Sequence, residues 1–172
     1  MAESVERARA QALAILDGQL STFYVVRHAK AGSRSQWTGD DRQRPLTKKG
    51  VKQAEALVEV FAKFDISAVY SSPFVRCMQT VEPLADARKL KVRSESGLAE
   101  GRGLEPAYAC FKDAKLDGVV LCTHGDIVYE LIEDLTKRRV LPAFREDMDK
   151  GSTWVVEVRS GAPVKARYIP AP

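Results

Sequence analysis

The 172-residue chain holds two histidines and three cysteines, and both shortages narrow what it can be. Cys77, Cys110 and Cys122 are odd in number and irregularly spaced, which suits neither a disulfide framework nor a zinc knuckle, so reduced thiols are expected. No apolar run approaches the ~20 residues that span a bilayer. The opening M-A-E-S-V-E-R-A-R-A-Q-A carries acids and alternating charge in place of a continuous apolar stretch, so no secretory signal is expected and a cytoplasmic location is the default. Repeats, low-complexity tracts and Pro/Gly/Ser-rich linkers are missing too. A P-loop would need G-x-x-x-x-G-K-[ST], and no such run occurs.

What is present is ordinary for a soluble globular protein: 45% hydrophobic and 29% charged residues. A chain of this length buries roughly 70% of the surface exposed when unfolded. The formal net charge of +4 admits acidic partners such as phosphates and nucleotides. Its cations are interspersed with acids almost everywhere, unlike the clustered stripe of a nucleic-acid binder, so neither nucleic acid nor membrane is an expected partner. Residues 1–20 are expected to form an N-terminal helical extension, with an alanine-rich helix over 4–16 capped by Ser4 and stopped by Gly18. Residues 21–172 form the domain.

Within that domain, strand-like and helix-like segments alternate. T-F-Y-V-V (22–26), I-S-A-V-Y (66–70), L-K-V-R (90–93) and G-V-V-L-C-T (118–123) read as strands. After Thr47, Val51, Ala54, Val58 and Phe61 share one face of an amphipathic helix. Pro73 suits the first turn of a second helix running to about Ala87. Asp126 opens a third, and W-V-V-E-V and V-K-A-R-Y-I are late strands. This alternation predicts an α/β fold with a mostly parallel central sheet covered by helices on both faces.

Ligands of open α/β sheets bind outside the carboxyl ends of the strands. At those ends stand Arg27-His28, Ser71-Ser72-Pro73 with Arg76 soon after, and Thr123-His124-Gly125. Either histidine alone reads as a strand-end packing residue. Both at equivalent positions, with two arginines, form a pattern. If strands one and four are neighbours, His28, His124, Arg27 and Arg76 share one crevice. Guanidinium forks without paired acids fit phosphate oxygens. A neutral imidazole among them can attack phosphorus, with no metal or cofactor needed. A cysteine-based phosphatase would need Cys-x5-Arg, but Pro83, Leu116 and Val128 stand six residues past the three cysteines.

V-V-R-H-A (25–29), P-L-T-K-K-G (45–50), S-S-P-F-V-R-C-M-Q-T (71–80) and C-T-H-G-D (122–126) resemble, in order, the motifs of the histidine phosphatase superfamily, to which phosphoglycerate mutases also belong. The resemblance implies a three-layer α/β/α phosphoglycerate mutase-like fold. It also implies His28 as nucleophile, with Arg27, Arg76 and His124 completing the phosphate pocket, Gly125 beside them and Thr47 as a helix cap. The family's Arg-His-Gly is Arg27-His28-Ala29 here, which adds a methyl where backbone approaches phosphate; small SixA-type members tolerate such variation. Many members carry an acid after the third strand, and Glu100 occupies that place, with Glu105 as a weaker substitute and a solvated loop glutamate as the plain reading.

The chain lacks the long insertions of the larger phosphatases in this superfamily, which points to the compact SixA-like branch. The substrate is then phosphohistidine in a protein or a small phosphomonoester. The loop 30–44 offers Lys30, Arg34, Arg42 and Arg44 for a second phosphate, and Trp37 either as a stacking surface for a base or as packing for the loop. R-H-A-K-A-G-S-R and G-D-D-x-x-R-P-L also resemble the C-terminal half of two-domain Nudix hydrolases, where nucleoside diphosphates would be substrates; no Nudix box occurs in this sequence. A third reading, from another class, is a non-catalytic phosphate-binding interaction domain.

Overall fold

The computed structural model describes residues 5–6 and 18–172. The helix expected over 4–16 therefore lies, but for Val5 and Glu6, outside the described residues. The order of elements is β1 (Leu20–Arg27), α1 (Lys48–Val60), β2 (Ala68–Ser71), α2 (Val75–Ala87), β3 (Val92–Ser94), α3 (Glu105–Lys112), β4 (Val119–Thr123), α4 (Gly125–Lys137), β5 (Thr153–Arg159) and β6 (Ala162–Ile169), with 3-10 turns at Asp41–Gln43 and Ser96–Leu98.

The six strands form one sheet in the order β3-β2-β4-β1-β5-β6. The pairings among β3, β2, β4 and β1 are parallel; β5 runs antiparallel to β1 and β6 antiparallel to β5. The last two strands form a hairpin whose loop, Ser160-Gly161, has positive φ at both residues (50° and 79°). Those are the angles of a type I′ turn, whose twist matches that of paired strands.

Alternate residues of β1 serve opposite faces. Phe23 and Val25 join Phe111 of α3, Leu131 of α4 and Trp154 of β5 in one cluster. Tyr24 and Val26 join Leu57 of α1 and Val81 and Leu84 of α2 in the other. Such double-sided burial explains the unbroken apolar runs of β1 and β4, and gives the three-layer α/β/α architecture expected.

Element ends shift slightly from expectation. Helix α2 begins at Val75, two residues past Pro73, because Ser72 Oγ accepts from the Phe74 N–H (3.3 Å) and holds the chain in a turn first. Helix α4 begins at Gly125 with His124 as its N-cap. Helix α3 has only eight residues, too few for a clear apolar period in the sequence. Cys77 and Cys122 are buried, Cys110 is half-buried, and all three are free thiols. Among the described residues no helix is long and apolar enough to cross a membrane.

Candidate active site

Parallel pairing of β1 with β4 aligns Val26 with Cys122 and Arg27 with Thr123, so the residues that follow the two strands emerge at one level. The His28 N–H donates to the Thr123 carbonyl (3.0 Å), which ties the two strand ends together. The imidazoles of His28 and His124 consequently meet edge to face, with centroids 5.4 Å apart.

The His28 tautomer follows from its partner. Nδ1 lies 2.8 Å from the Ala29 carbonyl, and a carbonyl can only accept, so Nδ1 carries the hydrogen and Nε2 keeps its lone pair. Burial pushes the His28 pKa down to about 3 against the opposing effect of that carbonyl, and His124, Arg76 and Arg27 lower it further. The ring is therefore neutral at ordinary pH. The Ala29 N–H donates to Thr80 Oγ1 (2.9 Å), which itself donates to the Arg76 carbonyl (2.6 Å), locking the segment after β1 onto α2. The Ala29 side chain does not crowd the pocket as expected. It is fully buried and packs with Leu46 and Ala54, so the methyl fills a small core instead.

Gly125 opens α4 directly against Arg27: a Cβ there would lie 2.8 to 2.9 Å from the guanidinium. The close approach requires glycine and lays Arg27 over the helix start. Arg27 donates through Nη1 to the Met148 carbonyl, while its Nε is buried without a partner. His124 Nε2 lies 2.8 Å from Ser72 Oγ. That oxygen also accepts from the Phe74 N–H, Cys77 Sγ lies 3.4 Å from the same Nε2, and His124 Nδ1 is buried without a protein partner.

Arg76 is fully buried, and here the structure departs from the expectation of guanidinium groups without paired acids. Its Nη1 donates to the Asp41 carbonyl (2.9 Å), and its Nη2 to the carboxylates of Asp41 (3.1 Å) and Glu100 (3.3 Å). A buried cation needs such compensation, and the 3-10 turn beginning at Asp41 delivers it. Arg76 Nε stays unpartnered. Glu100 accepts from Arg34 Nη2 through both oxygens, each at 2.9 Å. Asp41 also accepts from Arg44 Nε at 2.8 Å; that bond, followed by Arg76, holds its carboxyl below the usual range against the opposing effect of burial.

A cavity of about 530 Å³ opens over His28 and Arg27, lined also by Lys30, Arg34, Arg44 and Glu100 on one side and Gly125, Asp126 and Lys150 on the other. Arg76 and His124 are buried behind this lining, and Trp37, Arg42 and Glu105 are not in it either. Trp37 is 38% exposed and donates from Nε1 to the Asp40 carbonyl (3.0 Å), so the ring packs on its own loop. Arg42 is engaged by the Asp40 carboxylate, two residues away. Glu105 is an exposed first residue of α3.

Three residues were missed in the sequence. Asp41 stands three before Arg44, a spacing that signals a local ion pair. Asp126 accepts from the Gly101 N–H (2.7 Å) and so positions the Glu100 loop, a contact across 25 residues with no local sign. Lys150 reaches the cavity from the loop before β5. Among the described residues no group of three His, Cys, Asp or Glu side chains is placed to hold a metal ion.

The 8-oxo-(d)GTP phosphatase of Mycolicibacterium smegmatis is 38% identical over 161 residues, covering 88% of this chain and 48% of the relative, so the chain spans about half that protein's length. Two solved structures share the fold at low identity. The protein histidine phosphatase SixA complexed with tungstate has a TM-score of 0.68 at 20% identity over 86% of this chain and 94% of the other. Phosphoglycerate mutase of Bacillus anthracis has 0.62 at 18% over 86% and 92%. Residues 23–107, which carry Arg27, His28 and Arg76, match the histidine phosphatase superfamily, branch 1.

Proposed function

We propose that the protein is a phosphatase that transfers a phosphoryl group from a nucleotide to His28 and from there to water. The observation that carries this reading is a neutral His28, its Nε2 lone pair free, among buried nitrogens of Arg27, Arg76 and His124 that lack protein partners.

In the first displacement His28 Nε2 bonds to phosphorus as the ester P–O bond breaks and the leaving oxygen takes a proton. The imidazolium that forms keeps its Nδ1–H on the Ala29 carbonyl. Arg27, Arg76 and His124 meet the charge on the equatorial oxygens. Glu100 is the proton donor in this reading; its carboxylate must first release Arg34 and take up a proton from solvent. In the second displacement water attacks the phosphohistidine, yielding inorganic phosphate and neutral His28.

The nucleotide reading gains support from the 38% identity to a nucleotide phosphatase across most of the chain. The phosphohistidine-protein and small-monoester readings are favoured by the compact loops and by kinship of fold. A binding-only domain has no use for an activated imidazole. The test is kcat/KM across nucleoside phosphates, 4-nitrophenyl phosphate and a phosphohistidine protein. Nucleotides should rank highest; a higher value for phosphohistidine would overturn the substrate assignment.

A further inference from the structure

Beside the phosphoryl pocket lies a second cavity of about 470 Å³, which shares Arg27, Lys30 and Lys150 with the first and adds Lys49, Gln53 and Asp149. Four cations therefore face one carboxylate side chain, Asp149, and Ala171 and Pro172 complete the lining. None of the three lysines forms an ion pair with a carboxylate among the described residues.

Lys30 and Lys150 come from distant parts of the chain and are joined by one buried side chain. Gln53 of α1 is only 8% exposed; its Oε1 accepts from the Lys30 N–H (3.0 Å) and its Nε2 donates to the Lys150 carbonyl (3.0 Å). The Lys30 carbonyl accepts from the Thr47 N–H (2.9 Å) and from Thr47 Oγ1 (3.1 Å). It can sit so close to α1 because a Cβ on Gly50 would fall 2.0 Å from it. On the other side, the Gly151 N–H donates to the carbonyls of Arg27 and His28, both at 3.1 Å, which fixes Lys150 to the strand end that bears His28. Burial lowers the Lys150 pKa, and Arg27, Arg44, Lys30 and Arg34 lower it further, a sign of excess positive charge around it. Both lysine backbones are thus rigid while both ammonium groups lack an anion.

We propose that Lys30 and Lys150, clamped by Gln53, form a second anion subsite that selects substrates carrying a further phosphate next to the one transferred, a diphosphate attacked at its terminal phosphorus. A phosphomonoester or phosphohistidine places no charge there. The proposal rests on the phosphatase reading and narrows its substrate class.

The experiment compares phosphate and pyrophosphate as competitive inhibitors of 4-nitrophenyl phosphate hydrolysis by the full chain, alongside kcat/KM for a nucleoside diphosphate and its monophosphate. Pyrophosphate should bind at least about tenfold more tightly than phosphate, as one or two charge-assisted contacts provide. Lys150→Met and Lys30→Met should each shrink that ratio several-fold and lower the diphosphate-to-monophosphate ratio in parallel, whereas Lys150→Arg should keep most of it. Ratios unmoved by the double methionine variant, or both inhibitors weakened equally, would overturn the subsite. Titration calorimetry of the two anions on His28→Asn, which cannot accept the phosphoryl group, reads the same ratio without turnover, so loss of the phosphatase reading and loss of the subsite remain distinguishable.

Discussion

The His28 and His124 rings meet edge to face at 5.4 Å, yet they present different nitrogens. His28 is held through Nδ1 by the Ala29 carbonyl, and His124 through Nε2 by Ser72. His28 leaves Nε2 free and His124 leaves Nδ1 free. Exchange of either for asparagine should therefore have unequal effects. His28→Asn removes the nucleophile and should lower kcat by about 10³-fold or more, while His124→Asn, which removes one stabilising donor, should cost about 10²- to 10³-fold. Steady-state kinetics on 4-nitrophenyl phosphate with thermal melts of both variants checks this ordering.

Two glycines separate catalysis from stability. Gly125→Ala would press a methyl onto the Arg27 guanidinium, the movable end of a side chain, and should lower kcat/KM by about tenfold while costing about 1 kcal/mol of stability. Gly50→Ala would press a methyl onto the Lys30 backbone carbonyl and should cost about 3 kcal/mol, an overpacking penalty with backbone displacement. Chemical denaturation and kinetics of the pair should show opposite rankings.

The depressed His28 pKa fixes a sign for pH. Folded His28 stays neutral down to about 3, while the unfolded residue takes up a proton near 6.5. The unfolded state thus binds more protons between these values, so this group's stabilising contribution is full above 6.5 and is lost as pH falls towards 3. Replacing His28 with asparagine should flatten that part of the stability profile. For activity, any acid limb of kcat/KM above about pH 4 should follow the ionisation of the substrate phosphate and move with it. A limb fixed at the ordinary histidine value for every substrate would contradict a neutral nucleophile.

Glu100 is tied to Arg34 and Arg76, so its removal should show two effects. Glu100→Gln should slow esters with poor leaving groups by about 10²-fold and activated esters by much less, as loss of a proton donor does. A leaving-group series measures it. Equal slowing of the whole series would assign Glu100 to holding the arginines alone.

The strand ends were legible because an apolar run that stops at Arg27-His28, and another at His124, states where the chain leaves a doubly buried sheet. The placement of Arg27, His28 and His124 at neighbouring strand ends follows from that topology. The loop 30–44 was harder to read. Its charges look alike in sequence, but local geometry sends Arg42 to Asp40 and Trp37 to its own loop, while Arg44 and Arg34 turn to the cavity. Asp41 on Arg76 crosses 35 residues and Gln53 on Lys150 crosses 97, and no periodicity encodes such pairs. The Ala29 methyl was misjudged because a missing glycine says nothing about which way the new side chain points.

The proposed mechanism requires a covalent bond between phosphorus and His28 Nε2. Rapid mixing with a substrate labelled in its transferred phosphate, followed by an alkaline denaturing quench that preserves phosphohistidine, should leave label on the chain. Peptide mapping should place it on His28, and the label should vanish in His28→Asn. Turnover at full rate with no label at any mixing time, in a protein whose burst would be resolved, or label on a different residue, would contradict the mechanism.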